Sequence, residues 1–527
     1  MDGRDLVVCC DGTSNILGNQ RDTNVVKLMR LCEKSDRQLV YYDPGVGSAN
    51  TFPGVAWGER LMLRLRLLEG LAFGGGIYEN IAEAYMFLVR NYRAGDRIWL
   101  FGFSRGAFSA RAVSGIVNLF GVVRPSAETL LPTVLRTYFA DPGRRGAEGR
   151  YRADVARDIR EHFADAAGRE ARIHCIGVWD TVATVGGLRR RQISSDNTVE
   201  DKRFDHVRHA LAEGEYRAAY EPRLYRGVMG EPPRVVTRAV DGRPVQRWQP
   251  SLKQCWFPGA HSDVGGSYAE SGLSDLALRW MVLEASALGL ALVPGWQAAL
   301  PAGDPAAAQH DPAYAAPLWA LTGLQHRQIP PGDALHPALA ARLDAERAGK
   351  RPPIVATPTH ARLWWTALGV MLLILGALWW LTARIGAGTS AGGLATAQVL
   401  ALWQPQALAP YLRPGLATVL WLDGALIAAY GWLLCNAAVW AARRLHLVQP
   451  QVREFHRRMR GLLMLPIWIA VLADAAENLL TSLAAAERGA GLVHAALTLS
   501  ACLKWAALLV FGIACLRATL SRPPPPA

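Results

Sequence analysis

Residues 363–381, LWWTALGVMLLILGALWWL, hold no charged residue and carry a Trp pair near each end. At 1.5 Å per residue such a stretch suits a hydrocarbon core of ~30 Å, and Trp suits its two interfaces. With no water there to bond the backbone, the segment has to be a helix. Three similar stretches follow, and the expected spans are 363–382, 415–440, 461–484 and 492–516. The chain is therefore divided. Residues 1–300 read as ordinary globular sequence, 301–360 as a Pro/Ala-rich linker, 361–516 as a transmembrane bundle of about four helices, and 517–527 as a disordered tail with four consecutive prolines.

The formal net charge of +13 raises the question of a nucleic-acid partner. No basic helix or aromatic platform motif supports one, and much of the Arg excess flanks the apolar stretches. The loop between the second and third spans carries Arg443, Arg444, Arg453, Arg457, Arg458 and Arg460, against Arg384 and Arg413 in one neighbouring loop and Arg488 in the other. The positive-inside bias predicts an integral membrane protein with both termini cytoplasmic. Met1-Asp2-Gly3-Arg4-Asp5 leads directly into an apolar strand with no signal peptide. None of the eight cysteines forms a C-x-x-C pair; they read as buried, reduced thiols.

Within the first 300 residues short apolar runs alternate with helical patterns. Strands are expected at 5–10, 38–42, 97–103, 172–179 and 254–257, and helices at 24–33, 77–91, 108–119 and 274–287. Near-continuous apolar strands alternating with helices predict an α/β domain with a mainly parallel sheet and flanking helices.

The run RIWLFGFSRGAFSAR places G-x-S-x-G between a strand and a helix. Small residues flank Ser104 because the turn is sharp, and the turn lifts the hydroxyl above the sheet. The helix N-terminus favours negative charge, so the Arg105 N–H is the expected oxyanion donor. A serine so placed needs a base and an orienting acid, which follow in the order Ser, Asp, His in hydrolases with this elbow. Asp180 closes the strand in IHCIGVWDTV, and His261 follows the strand in QCWFPGAHSDVGG. His209, in HALAEGEYRAAY, is the competing base, but it reads as mid-helix. Asp263 is either a turn residue or a substitute for Asp180. The first strand ends in Asp11-Gly12-Thr13, and Gly12 or Thr13 is the expected second oxyanion donor. Asp11 reads as a turn-shaping carboxylate, with a metal role shared with Asp263 as the lesser alternative. Gly74-Gly75-Gly76 before a helix reads as a flexible turn, with an anion cradle as the lesser alternative. No metal or other cofactor is expected.

The blocks LVVCCDGTSN, YYDPGVGS, ENIAEAYMFLVRNYRAGDRIWLFGFSRGAFSAR, VWDTV, HALAEGEYRAAYEP and WFPGAHSDVGGSY, then LSDLALRWM, resemble a bacterial α/β-hydrolase family long filed as a domain of unknown function. Its best-known relatives are type VI secretion phospholipase effectors. The resemblance runs from about residue 5 to residue 290. It implies a lipase-like Ser104, Asp180 and His261 set; the C-terminal bundle, which the resemblance does not explain, would place a phospholipid or other acyl-ester substrate at a bacterial inner membrane. Where the family reads like HALALDERR, this chain has Gly214 and Glu215. The alternatives are a catalytically retired hydrolase fold that binds lipid or a protein partner, and a transporter. Asp423, Asp474, Glu477 and Lys504 fall inside the expected spans, and Lys504 should pair with Asp474.

Overall fold

The computed structural model describes residues 3–12, 21–45, 75–140, 143, 151–182, 197–240, 243–348, 350, 353–355, 359–385, 391–409, 411–412, 416–446, 453–485 and 490–520. By internal contacts the chain forms two compact units: Met1–Glu215, Tyr220–His310 and Arg327–Ile354 make the first, and Tyr216–Ala219, Asp311–His326 and Val355–Ala527 the second. The stretch 301–360, expected as a partly ordered linker with a helix at 335–348, is shared between them and carries that helix over Pro337–Arg347.

The first unit is built on strands β1 (Asp5–Cys10), β2 (Gln38–Asp43), β3 (Arg97–Phe103), β4 (Ile173–Trp179), β5 (Phe204–Ala212), β8 (Ser251–Phe257) and β9 (Ala334–Leu335), in the order β2-β1-β3-β4-β5-β8-β9. Every pairing in this sheet is parallel. A separate antiparallel hairpin is made by β6 (Arg234–Val240) and β7 (Arg243–Gln249). Side chains alternate along β1: Leu6, Val8 and Cys10 enter one core, Val7 and Cys9 the other. The first core is filled by the Gly75–Asn91 and Arg105–Phe120 helices, the second by the Asn24–Leu31 and Gly272–Ala287 helices. With helices on both faces, the strands need no polar face, which is why the apolar runs were continuous. The chain reverses direction of growth between β1 and β3, the kind of switch point where open α/β sheets bind ligands outside the carboxyl ends of their strands.

The expected strands and helices form, with shifted ends: β8 begins at Ser251, and the helix after Ser104 begins at Arg105. Gly75 opens its helix, while Gly74 lies outside the described residues. One element is corrected. The block around His209 is strand β5, not helix. Its Ala and Leu content favours a helix locally, but β4 and β8 pair with it on both edges and bury it, so tertiary pairing overrides propensity. The described cysteines carry no disulfide. Six are buried, Cys515 is half-buried and Cys502 is exposed, and burial pushes the Cys32, Cys175 and Cys255 thiols up to about 12.

The second unit is helical: Thr359–Ile385, Ala391–Leu400, Leu416–His446, Arg453–Ala485 and Ala490–Leu520. Among the described residues three helices are long and apolar enough to cross a membrane, over Leu416–Ala442, Leu463–Ala485 and Gly491–Leu520. The first expected span falls in the Thr359–Ile385 helix, whose apolar stretch Leu368–Leu381 is shorter; the side chains at 361–365 lie outside the described residues. Polarity is turned inward in this unit. Trp421, Leu373 and Leu492 are at least three-quarters exposed, whereas Glu477, Thr481, Asp474 and Lys504 are buried. In water that distribution is unfavourable; in lipid it removes polar groups from hydrocarbon. Lys504 Nζ donates to Asp474 Oδ1 and to Glu477 Oε2, each at 2.8 Å, and the Tyr430 hydroxyl donates to Asp474 Oδ2 at 2.8 Å.

Candidate active site

β3 runs into Ser104, which adopts φ 57° and ψ −120° before the Arg105–Phe120 helix begins. A non-glycine residue at positive φ is strained by roughly 1–3 kcal/mol and persists only where its surroundings enforce it. The two flanking glycines show what enforces it. A Cβ on Gly102 would stand 2.5 Å from the Gly106 carbonyl oxygen, and one on Gly106 would stand 2.2 Å from the Cys10 carbonyl oxygen. The helix start folds back over β3 and against the end of β1, which only residues without a side chain allow. This brings the Ser104 turn beside the Asp11–Gly12 loop at the switch point between β1 and β3.

Asp180 follows β4, with φ 41°, and His261 opens the short His261–Gly265 helix after β8. From these three strand ends the side chains meet. Ser104 Oγ lies 2.8 Å from His261 Nε2, and His261 Nδ1 lies 2.5 Å from Asp180 Oδ2. The acid fixes the tautomer: Nδ1–H donates to the carboxylate, leaving the Nε2 lone pair to accept the Ser104 proton. Phe103 and Tyr220 flank the imidazole, with ring centroids 4.7 and 4.9 Å away. The His261 backbone N–H donates to Glu215 Oε2 at 3.3 Å.

Asp180 is fully buried, and four donors fill its two oxygens. Oδ1 accepts from the Ala212 N–H (3.1 Å) and Arg327 Nη1 (2.5 Å), and Oδ2 from His261 and Arg327 Nη2 (2.9 Å). Burial alone would push its pKa up; the Arg327 guanidinium and His261 outweigh burial and hold it well below the usual carboxylate range. Arg327 is itself held by the Ala212 carbonyl at 2.7 Å and the Tyr220 carbonyl at 2.5 Å. It sits in the stretch read as linker, 147 residues from Asp180, and no local pattern marks it.

The other expected residues fall as follows. His209 Nε2 accepts the Thr181 N–H at 3.3 Å, and its Nδ1 meets Gln254 Oε1 at 3.3 Å, so both nitrogens are engaged away from Ser104. Burial first, then Arg111, lowers its pKa to about 3, which keeps it neutral. Asp263 Oδ2 accepts the Ala260 and His310 N–H groups, both at 2.9 Å, while Oδ1 meets His310 Nδ1 at 2.6 Å. It shapes the turn that carries His261, and it partners His310 rather than His261. Both oxygens of Asp11 accept the Thr23 hydroxyl at 2.8 Å, and they also take the Gly12 N–H at 2.6 Å and the Tyr42 hydroxyl at 2.8 Å. Among the described residues no group of three or more His, Cys, Asp or Glu side chains is arranged to hold a metal ion. Arg105 is the first helical residue, so its N–H has no acceptor within the helix. Thr13 lies outside the described residues. Chemically, the assembly provides a hydroxyl bonded to a base whose tautomer is set by an ionised acid, next to a helix N-terminus.

Comparison with known proteins adds a family. The model of the Tle1-like phospholipase effector catalytic domain of the type VI secretion system matches residues 4–284, more than half of the chain. An uncharacterised Saccharomyces cerevisiae protein, YEL023C, is 26% identical, over 56% of this chain and 58% of its own length. The chain thus spans somewhat over half of that curated relative. Among solved structures, an uncharacterised Pseudomonas aeruginosa protein aligns with 18% identity and a TM-score of 0.31, over 90% of this chain and 67% of its own. The Tle1 effector bound to the VgrG spike of the type 6 secretion system aligns with 18% identity and a TM-score of 0.27, over 51% of each chain. By its family match the chain belongs to the Tle1-like phospholipase effector catalytic-domain family.

Proposed function

We propose that this protein is a membrane-anchored serine hydrolase that cleaves ester bonds of phospholipids or other acyl lipids. The observation that carries the reading is the hydrogen-bonded chain from Ser104 Oγ through His261 to the ionised Asp180, set on a strained strand–turn–helix. His261 Nε2 takes the Ser104 proton as Oγ attacks the acyl carbon. The resulting oxyanion is held by the Arg105 N–H; the Gly12 N–H already donates to Asp11 Oδ1, which leaves Thr13 as the expected second donor. The imidazolium then gives its proton to the departing alcohol oxygen, leaving an acyl-serine. A water deprotonated by His261 releases the fatty acid and restores Ser104. Asp180 stays ionised throughout and stabilises the imidazolium.

The family match supports a lipid substrate, and the apolar helices support an anchor that keeps the domain at a membrane surface. The Arg-rich connection between the Leu416–His446 and Arg453–Ala485 helices favours a cytoplasmic position for both termini. The test is fluorophosphonate labelling of the detergent-solubilised chain. Wild type should label and Ser104→Ala should not, with the variant still folded by circular dichroism. Equal labelling of the two removes Ser104 from the mechanism.

A further inference from the structure

Residues Phe108, Arg111, Ala112 and Gly115, at helical spacing on the Arg105–Phe120 helix, wall a cavity of about 130 Å³. At ~30 Å³ per water this is room for roughly four waters, or for a phosphate group. Ser104 does not line it. Among the described residues the wall carries Arg111, Arg152, Lys202 and Arg223, and no Asp or Glu. Arg111 donates to the Arg223 carbonyl and, at 2.8 Å, to Asn197 Oδ1, both uncharged acceptors, and its guanidinium lies 3.8 Å over the Tyr225 ring. Burial lowers its pKa, as expected for a desolvated cation with no carboxylate against it among the described residues.

Two further wall residues point to a ligand. Thr181 is fully buried and Tyr225 is 7% exposed, yet among the described residues the hydroxyl of each has no hydrogen-bond partner. Buried polar groups are normally satisfied, and a group left unpaired at a binding cavity is accounted for by what enters it. Guanidinium forks and hydroxyl donors around a space of this size match a tetrahedral oxyanion with several acceptor oxygens. We infer that this cavity binds a phosphate group, carried either by a soluble phosphate or by a lipid headgroup. Thr181 directly follows Asp180, and its carbonyl accepts the Arg223 N–H at 2.9 Å. A phosphate held by Arg223 and Thr181 would therefore brace the turn that presents the acid. The inference stands on the cavity itself and does not require that Ser104 be the nucleophile.

The experiment is phosphate binding to the full chain in detergent, read by thermal unfolding against chloride at matched ionic strength. Inorganic phosphate should raise the melting temperature of wild type. Tyr225→Phe, which removes one donor, should weaken phosphate affinity about tenfold, the loss of one hydrogen bond to a charged group, and Arg223→Gln, which removes a guanidinium and its charge without emptying the wall, should weaken it at least as much. Circular dichroism confirms that each variant is folded. Glycerol 3-phosphate and phosphatidic acid in phosphatidylcholine vesicles separate the sources. Saturation by the soluble compound assigns free phosphate, and variant-sensitive binding to the vesicles alone assigns a lipid headgroup. The inference is overturned if phosphate acts no differently from chloride and the vesicles do not bind, or if binding in both folded variants equals that of wild type.

Discussion

Arg327 holds the proposed acid from the side opposite His261. Its two terminal nitrogens take one oxygen each of a carboxylate that has no exposure, so the pair is bidentate and dry. Removing one partner of a buried pair costs about 3–5 kcal/mol, because the other charge is left uncompensated. Arg327→Met should therefore lower the melting temperature clearly. It should also lower kcat by less than the ~10⁴-fold that neutralising the orienting acid costs in serine-protease triads. Arg327→Lys keeps the charge but loses the fork, and should recover stability better than turnover. A variant as stable and active as wild type would show that Asp180 needs no such support. For the base, His261→Ala should abolish hydrolysis, and His209→Ala should act through stability alone. His209 was readable as a candidate, but its place was not: a histidine in an Ala- and Leu-rich block looks helical until strand pairing on both edges is known. Ser104, Asp180 and His261, the residues proposed to carry the chemistry, could be named as candidates from the sequence because each stands in a local context, an elbow or a strand end, that such chemistry uses. Arg327 had no such context. Its partner is far away in the chain, and a lone Arg in a Pro/Ala-rich stretch carries no period or motif.

At the scale of elements, the elbow depends on helix and strand approaching closer than any side chain permits. A methyl on Gly106 would overlap the Cys10 and Asp11 carbonyl oxygens, at 2.2 and 2.3 Å. Both are backbone atoms and cannot swing aside. Gly106→Ala should thus cost on the order of 1–3 kcal/mol, and it should reduce fluorophosphonate labelling by shifting the helix that presents Ser104. The short helix bearing His261 is held differently. Asp263 and Glu270 bracket His310, with Nε2 of His310 3.2 Å from Glu270 Oε2 and the Tyr268 ring stacked at 3.6 Å. Burial lowers the His310 pKa, but the hydrogen bonds and charges of Asp263 and Glu270 outweigh it and raise the pKa above its ordinary value of 6.5. A raised folded-state pKa contributes stability that is fully present below the unfolded value and is lost as pH rises through the folded value. The melting-temperature gap between wild type and His310→Gln should therefore be widest below about pH 6 and should shrink above pH 6.5. A gap independent of pH would mean that His310 acts by packing only. Element identity in this unit followed from the continuous apolar strands. The β6–β7 hairpin did not stand out, because its strands are largely exposed and β6 sets Val235 and Val236 side by side between arginines, so there is little alternation to read.

At the scale of the molecule, the helical unit faces the reverse of a soluble protein's problem, and its inward polar groups are the measure of it. Reporter fusions at the loop near Thr389 and after Arg522 should report opposite sides of the membrane if both termini are cytoplasmic; the same side for both would break that topology. The charge cluster tests the interior of the unit. Lys504 was expected to meet Asp474 from depth alone, since the two residues lie level in a helical hairpin. It also meets Glu477, so one cation serves two carboxylates. Asp474 and Glu477 are three apart and share a helical face, which is what lets one ammonium reach both. The Tyr430 hydroxyl occupies the remaining Asp474 oxygen, whereas among the described residues Glu477 Oε1 has no hydrogen-bond partner. Lys504→Met removes the cation and leaves both acids in a low-dielectric interior, so it should destabilise the unit by about 3–5 kcal/mol. Neutralising Asp474 alongside it, as Lys504→Met with Asp474→Asn, removes one stranded acid and should recover part of that loss. Adding Glu477→Gln should recover more, because the amide needs partners but carries no charge. Thermal unfolding in detergent should rank the single variant lowest, then the double, then the triple. If the double and triple are no more stable than the single, the loss comes from the missing Lys504 stem and its packing, and the cluster holds the helices by shape rather than by charge.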